Sequence, residues 1–149
     1  MLIDPKNIPP RTAYQLLASA VIPRPVGLIS SISAAGAVNL APFSFFNAVC
    51  GEPPIVLFCP TTRSPAKDTL RNVQETGEFV ANIVGQDMAQ QMNLTAGDYP
   101  PDVNEFAVAG LTPVPSQVVA PPCVQESPVS MECKLRQVIQ VSDKPNGGS

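Results

Sequence analysis

Residues 39–47 read NLAPFSFFN, and the fold turns on how this stretch is taken. Its phenylalanines belong in a half-buried strand, yet Asn39, Pro42, Ser44 and Asn47 interrupt it. As one strand, Leu40, Pro42, Ser44, Phe46 and Ala48 share a face, and Ala41, Phe43, Phe45 and Asn47 share the other. Pro42 has no N–H for a ladder, so the strand is an edge there or bends around a bulge. A bend of that kind frees backbone N–H groups to meet a ligand. The competing reading is a bent barrel strand in which Asn39 and Asn47 serve only as turn residues.

Upstream, VGLISSIS (26–33) reads as a strand ending in small polar side chains, and AAGAVN (34–39), with Gly36, as a hairpin connection. The returning strand then covers about 39–49. RTAYQLLASA (11–20) groups Leu16, Leu17 and Ala20 on one helical face between Pro9-Pro10 and Pro23. Downstream, IVLFC (55–59) is a core strand. In the next segment Ser64 is expected as N-cap with Pro65 at the first helical position. Ala66, Leu70 and Val73 line that helix and Gly77 ends it. FVANIV (79–84) is a further strand, and residues 87–95, with Met88 and Met92 four apart, form a short helix. A polar loop (96–105) leads to FAVAGL, SQVV and SMECKLRQVIQV, where β-like segments dominate. Short strands separated by turn signals argue for a barrel or sandwich. VIQV and DKPNGGS read as a strand and a turn without a second strand, so either the fold is incomplete at the C-terminus or a partner chain covers the edge.

The 149 residues are enough for a single domain, 1–149, with a real core. A net charge of -3 and the lack of any Lys/Arg run exclude an extended nucleic-acid footprint. No apolar run nears the roughly 20 residues of a membrane span, and MLIDPKNIPP lacks the form of a signal peptide. Cys50, Cys59, Cys123 and Cys133 show no CxxC spacing and histidine is absent, which argues against zinc. The expectation is reduced thiols in a cytoplasmic protein. Without histidine, a Ser-His or Cys-His nucleophile is excluded within the chain, so if the protein is an enzyme its chemistry would come from a bound cofactor.

TTRSPAKDT (61–69) gathers Arg63 and Lys67, the hydroxyls of Thr61, Thr62, Ser64 and Thr69, and a helix start. Helix N-termini favour anions, and Arg and Lys add charge-assisted hydrogen bonds. A capped surface helix with solvated charges is the alternative. SSIS (30–33) adds hydroxyls at a strand end. Together these patches describe a ligand with a flat polar heterocycle, such as an isoalloxazine, at one end and a phosphate at the other. No G-x-G-x-x-G follows a strand, so a Rossmann site is not supported.

In order, PRPVGLISSIS, a Gly hairpin, NLAPFSFFN, PPIVLF, KDTLRN and GEFVANIV, with NEFAVAGLTPVP and PPCVQESPVSMECKL later, resemble the flavin reductase-like family with the FMN-binding split barrel. The likeness runs along nearly the whole chain from residue 11. It implies a mainly β, antiparallel split barrel with a few short helices, a homodimer, and FMN near the subunit interface, FAD being the other flavin. It further implies NADH or NADPH as hydride donor to flavin N5 with no catalytic side chain, and a partner monooxygenase for reduced flavin. The alternative within the family is a flavoredoxin-like electron carrier that holds FMN without nicotinamide turnover. Carried onto this sequence, Ser30, Ser31, Asn39, Ala41, Pro42, Phe43 and Ser44 would meet the flavin and its ribityl chain. Arg63, Lys67, Asp68 and Thr69 would lie at the phosphate. The Asp68 carboxylate would repel a phosphate and is expected instead to cap the helix or orient Lys67. Chains of this family continue past the GGS-type turn.

Overall fold

The computed structural model describes residues 2–62, 64–144 and 147–148. Helix α1 (Pro10–Ala20) starts on a proline, whose missing N–H is no loss at a first helical position. None of its residues is buried. Strands β1 (Gly27–Ile32) and β2 (Val38–Phe43) form the expected hairpin, with Ser31 opposite Asn39 and Leu28 opposite Pro42. Strands β3 (Phe46–Gly51) and β4 (Pro54–Phe58) form a second hairpin. Helix α2 (Asp68–Thr76) and strand β5 (Glu78–Ile83) follow. Then come α3 (Ala89–Leu94), α4 (Glu105–Ala109), β6 (Pro113–Val114), β7 (Cys123–Val124) and β8 (Ser130–Lys134).

The main sheet is antiparallel, in the order β2-β1-β5-β8, while β3 and β4 pair with each other in a separate sheet. β2 is therefore an edge strand, the setting in which Pro42 costs no ladder bond. Each face of the main sheet carries its own core. On one face Leu28 and Leu40 pack with Met88, Phe106, Leu111 and Val124. On the other Ile29, Phe43 and Phe79 pack with Val73 of α2 and with Phe46, Val56 and Phe58 of the second hairpin. The two sheets thus enclose an aromatic core without a continuous ladder between them, an open, split barrel.

The single strand expected over 39–49 is two strands. A bend at Ser44 and Phe45 separates β2 from β3. It also resets the alternation: Phe43 and Phe46, placed on opposite faces by a continuous strand, enter the same core at 5% and 7% exposure. The Phe46 ring fills the place of a Gly27 side chain, since a Cβ there would lie 2.6 Å from Cδ2 of the ring. Residue 27 must be glycine for β1 and the hairpin to approach this closely.

Three other expectations change. Helix α2 starts at Asp68 with Lys67 as N-cap, not at Pro65 behind Ser64. Ser64 and Pro65 stay outside it, and Gly77 ends it in the left-handed conformation at φ 73°, as the sequence suggested. FAVAGL, grouped with the β-like segments, lies largely in α4, because the Asn104 side chain accepts from Phe106 N–H and caps a helix there. VIQV (138–141) is not a strand. The chain turns back there: Val141 N–H and Ser142 N–H donate to the Gly148 carbonyl, and Gly148 bridges to Thr61. Pro145, Asn146 and Ser149 of the DKPNGGS turn lie outside the described residues.

Candidate functional site

The exposed side of an edge strand leaves N–H and C=O groups without strand partners. On β2 one of these is claimed from another element. The Leu40 N–H donates to Oε2 of Glu105 at 3.1 Å, so α4 covers the edge with a carboxylate. Glu105 is 7% exposed. Burial pushes its carboxyl above the usual range, opposed by the N–H bonds of Glu105 and Leu40 and assisted by the charge of Asp68. It is the one acidic side chain in an otherwise apolar helix.

Beside this contact a cleft of about 170 Å³ runs along β2. Asn39, Ala41 and Pro42 form one wall, Lys67, Asp68 and Thr69 at the start of α2 another, and Glu105 with the loop 95–99 the third. A second cavity of about 140 Å³ adjoins it, formed by Pro42, Phe43, Ser44 and Phe45 of the bend with Tyr14, Cys59, Thr61 and Lys67. Pro42 and Lys67 line both cavities. Tyr14 reaches the second because its ring meets Phe45 edge-on, centroids 6.3 Å apart, with the Arg24 guanidinium 5.6 Å from the same Phe45 ring. The bent strand and the cation-bearing helix start therefore face one another across a gap.

Beneath the first cleft lies a polar layer that the packing of α2 on the sheet creates. Asn39 Nδ2 donates to Thr69 Oγ1 at 2.9 Å and to Ser31 Oγ at 3.4 Å, and Asn72 Nδ2 donates to the same Ser31 oxygen at 3.2 Å. Ser31, Thr69 and Asn72 are at most 2% exposed. Asn72 Oδ1 has no partner among the described residues, a burial cost of about 1–3 kcal/mol in typical proteins.

Six of the sequence-selected residues thus meet at one cleft: Asn39, Ala41, Pro42, Lys67, Asp68 and Thr69. Phe43 and Ser44 stand at the adjoining cavity. Ser31 is one layer below, bonded to Asn39. Ser30 is not brought to the site; it is fully buried on the opposite face, where its hydroxyl donates to the Pro122 carbonyl. Arg63 lies outside the described residues. Asp68 neither caps α2 with its side chain nor orients Lys67: its carboxylate pairs with Arg71 one turn on, which offsets its charge. Glu105, Tyr14, Asn72 and the loop 95–99 were not selected from sequence. Their contacts join segments far apart in the chain, and no local pattern announces them.

The donor set suits an anionic mononucleotide. Among the described residues no side-chain cap bond is made at the N-cap of α2, and its first residues Asp68 and Thr69 line the first cleft while Lys67 lines both cavities, a setting that favours an anion. The aromatic second cavity suits a flat ring. Each cavity alone is smaller than the roughly 300 Å³ at which ordinary ligand pockets begin, and a ligand spanning both would use the Pro42–Lys67 junction.

Known proteins share the fold that carries this cleft. Nitrilotriacetate monooxygenase component B from Bacillus cereus superposes with a TM-score of 0.93 at 35% identity, over 99% of this chain and 73% of that one. A Shewanella frigidimarina protein described as a flavin reductase with split barrel domain gives 0.83 at 26% identity, over 96% of this chain and 70% of that one. Flavoredoxin of Desulfovibrio vulgaris gives 0.70 at 25% identity, over 86% of this chain and 66% of that one. The sequence profile of the flavin reductase like domain matches residues 18–144, and the chain belongs to that family.

Proposed function

We propose that this chain binds FMN across the two cavities and carries out NAD(P)H-dependent flavin reduction, passing reduced flavin to a partner monooxygenase. The observation that carries the reading is the Pro42–Lys67 junction, where a bent edge strand meets a helix start bearing a cation. When bound, the flavin supplies the hydride-accepting chemistry. The chain's own residues then have three tasks. Lys67 and the first turn of α2 hold the phosphate. Asn39 and Thr69 meet the polyol chain, and the Ala41–Ser44 backbone with the neighbouring aromatic rings orients the heterocycle. None of these tasks needs a side-chain acid or base, in keeping with a chain that has no histidine.

A homodimer fits the surface. α1 buries none of its residues within the chain, and its Leu17 and the following Ile22, with Val49 and Leu57 of the second hairpin, are exposed. Apolar area of this kind marks an interaction face. The similarity to nitrilotriacetate monooxygenase component B favours the oxygenase-partner reading, whereas the likeness to flavoredoxin favours a carrier that keeps its FMN.

Steady-state oxidation of NADH and of NADPH with added FMN tests the proposal. Saturable consumption with one of the two nucleotides is expected. Slow consumption that never saturates would assign the chain to electron carriage instead.

A further inference from the structure

The buried layer under the cleft carries more than packing. Asn39 spends both amide hydrogens on protein, one on Thr69 and one on Ser31. The atom of that side chain left to offer is Oδ1, an acceptor. Thr69, having accepted from Asn39, keeps its hydroxyl proton to give. Ser31 can anchor Asn39 in this sense because Asn72 pins the same hydroxyl oxygen from α2, three residues beyond Thr69. The bonds thus close a ring through β1, β2 and α2, and two of its members, Asn39 and Thr69, line the cleft while Ser31 and Asn72 do not. An apolar pair at 31 and 72 would fill the space without leaving Asn72 Oδ1 unpartnered.

We infer that Asn72 is a positioning residue: acting through Ser31, it holds Asn39 and Thr69 so that the cleft presents one acceptor and one donor side by side. That pair matches a hydroxyl, which gives and takes one bond at once, so the group read here is the polyol chain of the ligand and not its phosphate or its ring. The inference rests on the flavin reading above and assigns one part of the ligand to one layer of the protein.

Three flavins separate the parts: FMN has ring, polyol and phosphate, riboflavin lacks the phosphate, and lumiflavin lacks both phosphate and polyol. Binding of each is measured by fluorescence titration of the full chain, beside the thermal midpoint. Asn72→Leu is expected to weaken FMN and riboflavin alike, about tenfold, to leave lumiflavin unchanged, and to shift the midpoint by no more than a few degrees. Ser31→Ala breaks the same relay from the strand side and is expected to give the same pattern, which keeps the test open should one variant fold poorly. Equal weakening of all three flavins, or a lowered midpoint with unchanged binding, overturns the inference and leaves the functional reading standing. If the unaltered protein binds none of the three, the functional reading falls and the inference with it.

Discussion

The Lys67 ammonium lies 5.7 Å from the centroid of the Phe43 ring. The N-cap residue of α2 and the residue that ends β2 are thus in contact, although they stand 24 positions apart in sequence. A cation over a ring face is held in place without being neutralised. Lys67 keeps its charge for an anion while Phe43 fixes where that charge sits.

Replacement of Lys67 by alanine should therefore act on the phosphate end of the ligand. The expected loss is about 1.5–3 kcal/mol of FMN binding, the size of one hydrogen bond to a charged group. Riboflavin affinity should stay the same. Isothermal titration of both flavins checks this, and a wild-type protein that binds the two equally well would show that no phosphate site exists here.

Ser44 stands at the bend, half-buried against the second cavity. Ser44→Val removes the hydroxyl and adds one heavy atom at a half-buried position beside a cavity, so the fold should persist. Flavin affinity should fall by about 0.5–1.5 kcal/mol, the net worth of one neutral hydrogen bond, or the flavin potential should move. Spectroelectrochemical titration reads both. Unchanged values would mean that Ser44 faces only protein.

Glu132 accepts from the N–H groups of Gln117, Val118 and Val119 at 3.0, 2.6 and 3.2 Å, tying the loop before β7 to strand β8. The bonds from Gln117 and Val118 hold its carboxyl below the usual range, against a smaller opposing effect of burial. Because the folded value is depressed, the contribution to stability is present above about pH 4.5, the unperturbed value, and is lost as pH falls through the folded value. Glu132→Gln should speed amide exchange at residues 117–119 at neutral pH. The difference from wild type should shrink on acidification, since protonation does to the wild type what the substitution does at all pH values. Exchange rates that match at neutral pH would rule the tether out.

Gly27→Ala adds a Cβ at 2.6 Å from the Phe46 ring, with Phe46 itself locked in the core. Overpacking of this type costs about 1–3 kcal/mol. Urea denaturation should show a lower midpoint with little change in slope. A variant as stable as wild type would mean that the second hairpin slides freely over the main sheet.

Much of the fold was legible along the chain because its cues are local. Gly36 and Gly77 punctuate, β-prone apolar runs mark β1 and β5, and Pro42 limits β2 to an edge or a bend. The candidate site was half legible for the same reason: NLAPFSFFN and the Lys67–Thr69 helix start are each short stretches with a chemistry of their own. What failed locally shows the limit of that reading. Ser64-Pro65 looks like a helix start, but α2 begins at Asp68, where the helix lies against β1 and β2. FAVAGL looks like a strand, but Asn104 caps it into a helix whose Phe106 completes a core.

Residue types and spacing alone determined a β-rich chain of short strands, an edge or bend at Pro42, a cationic helix start, and the exclusion of any histidine-based nucleophile within the chain. Tertiary structure decided which hydroxyls reach the cleft, and sent Ser30 to the Pro122 carbonyl and Ser31 to Asn39 and Asn72. Neighbours on a strand point to opposite faces, so adjacent serines with the same chemistry take different fates once each face has its own core. The same packing brought Glu105 to Leu40 across 65 positions, a pairing set by the open edge of β2 and by no pattern within either segment.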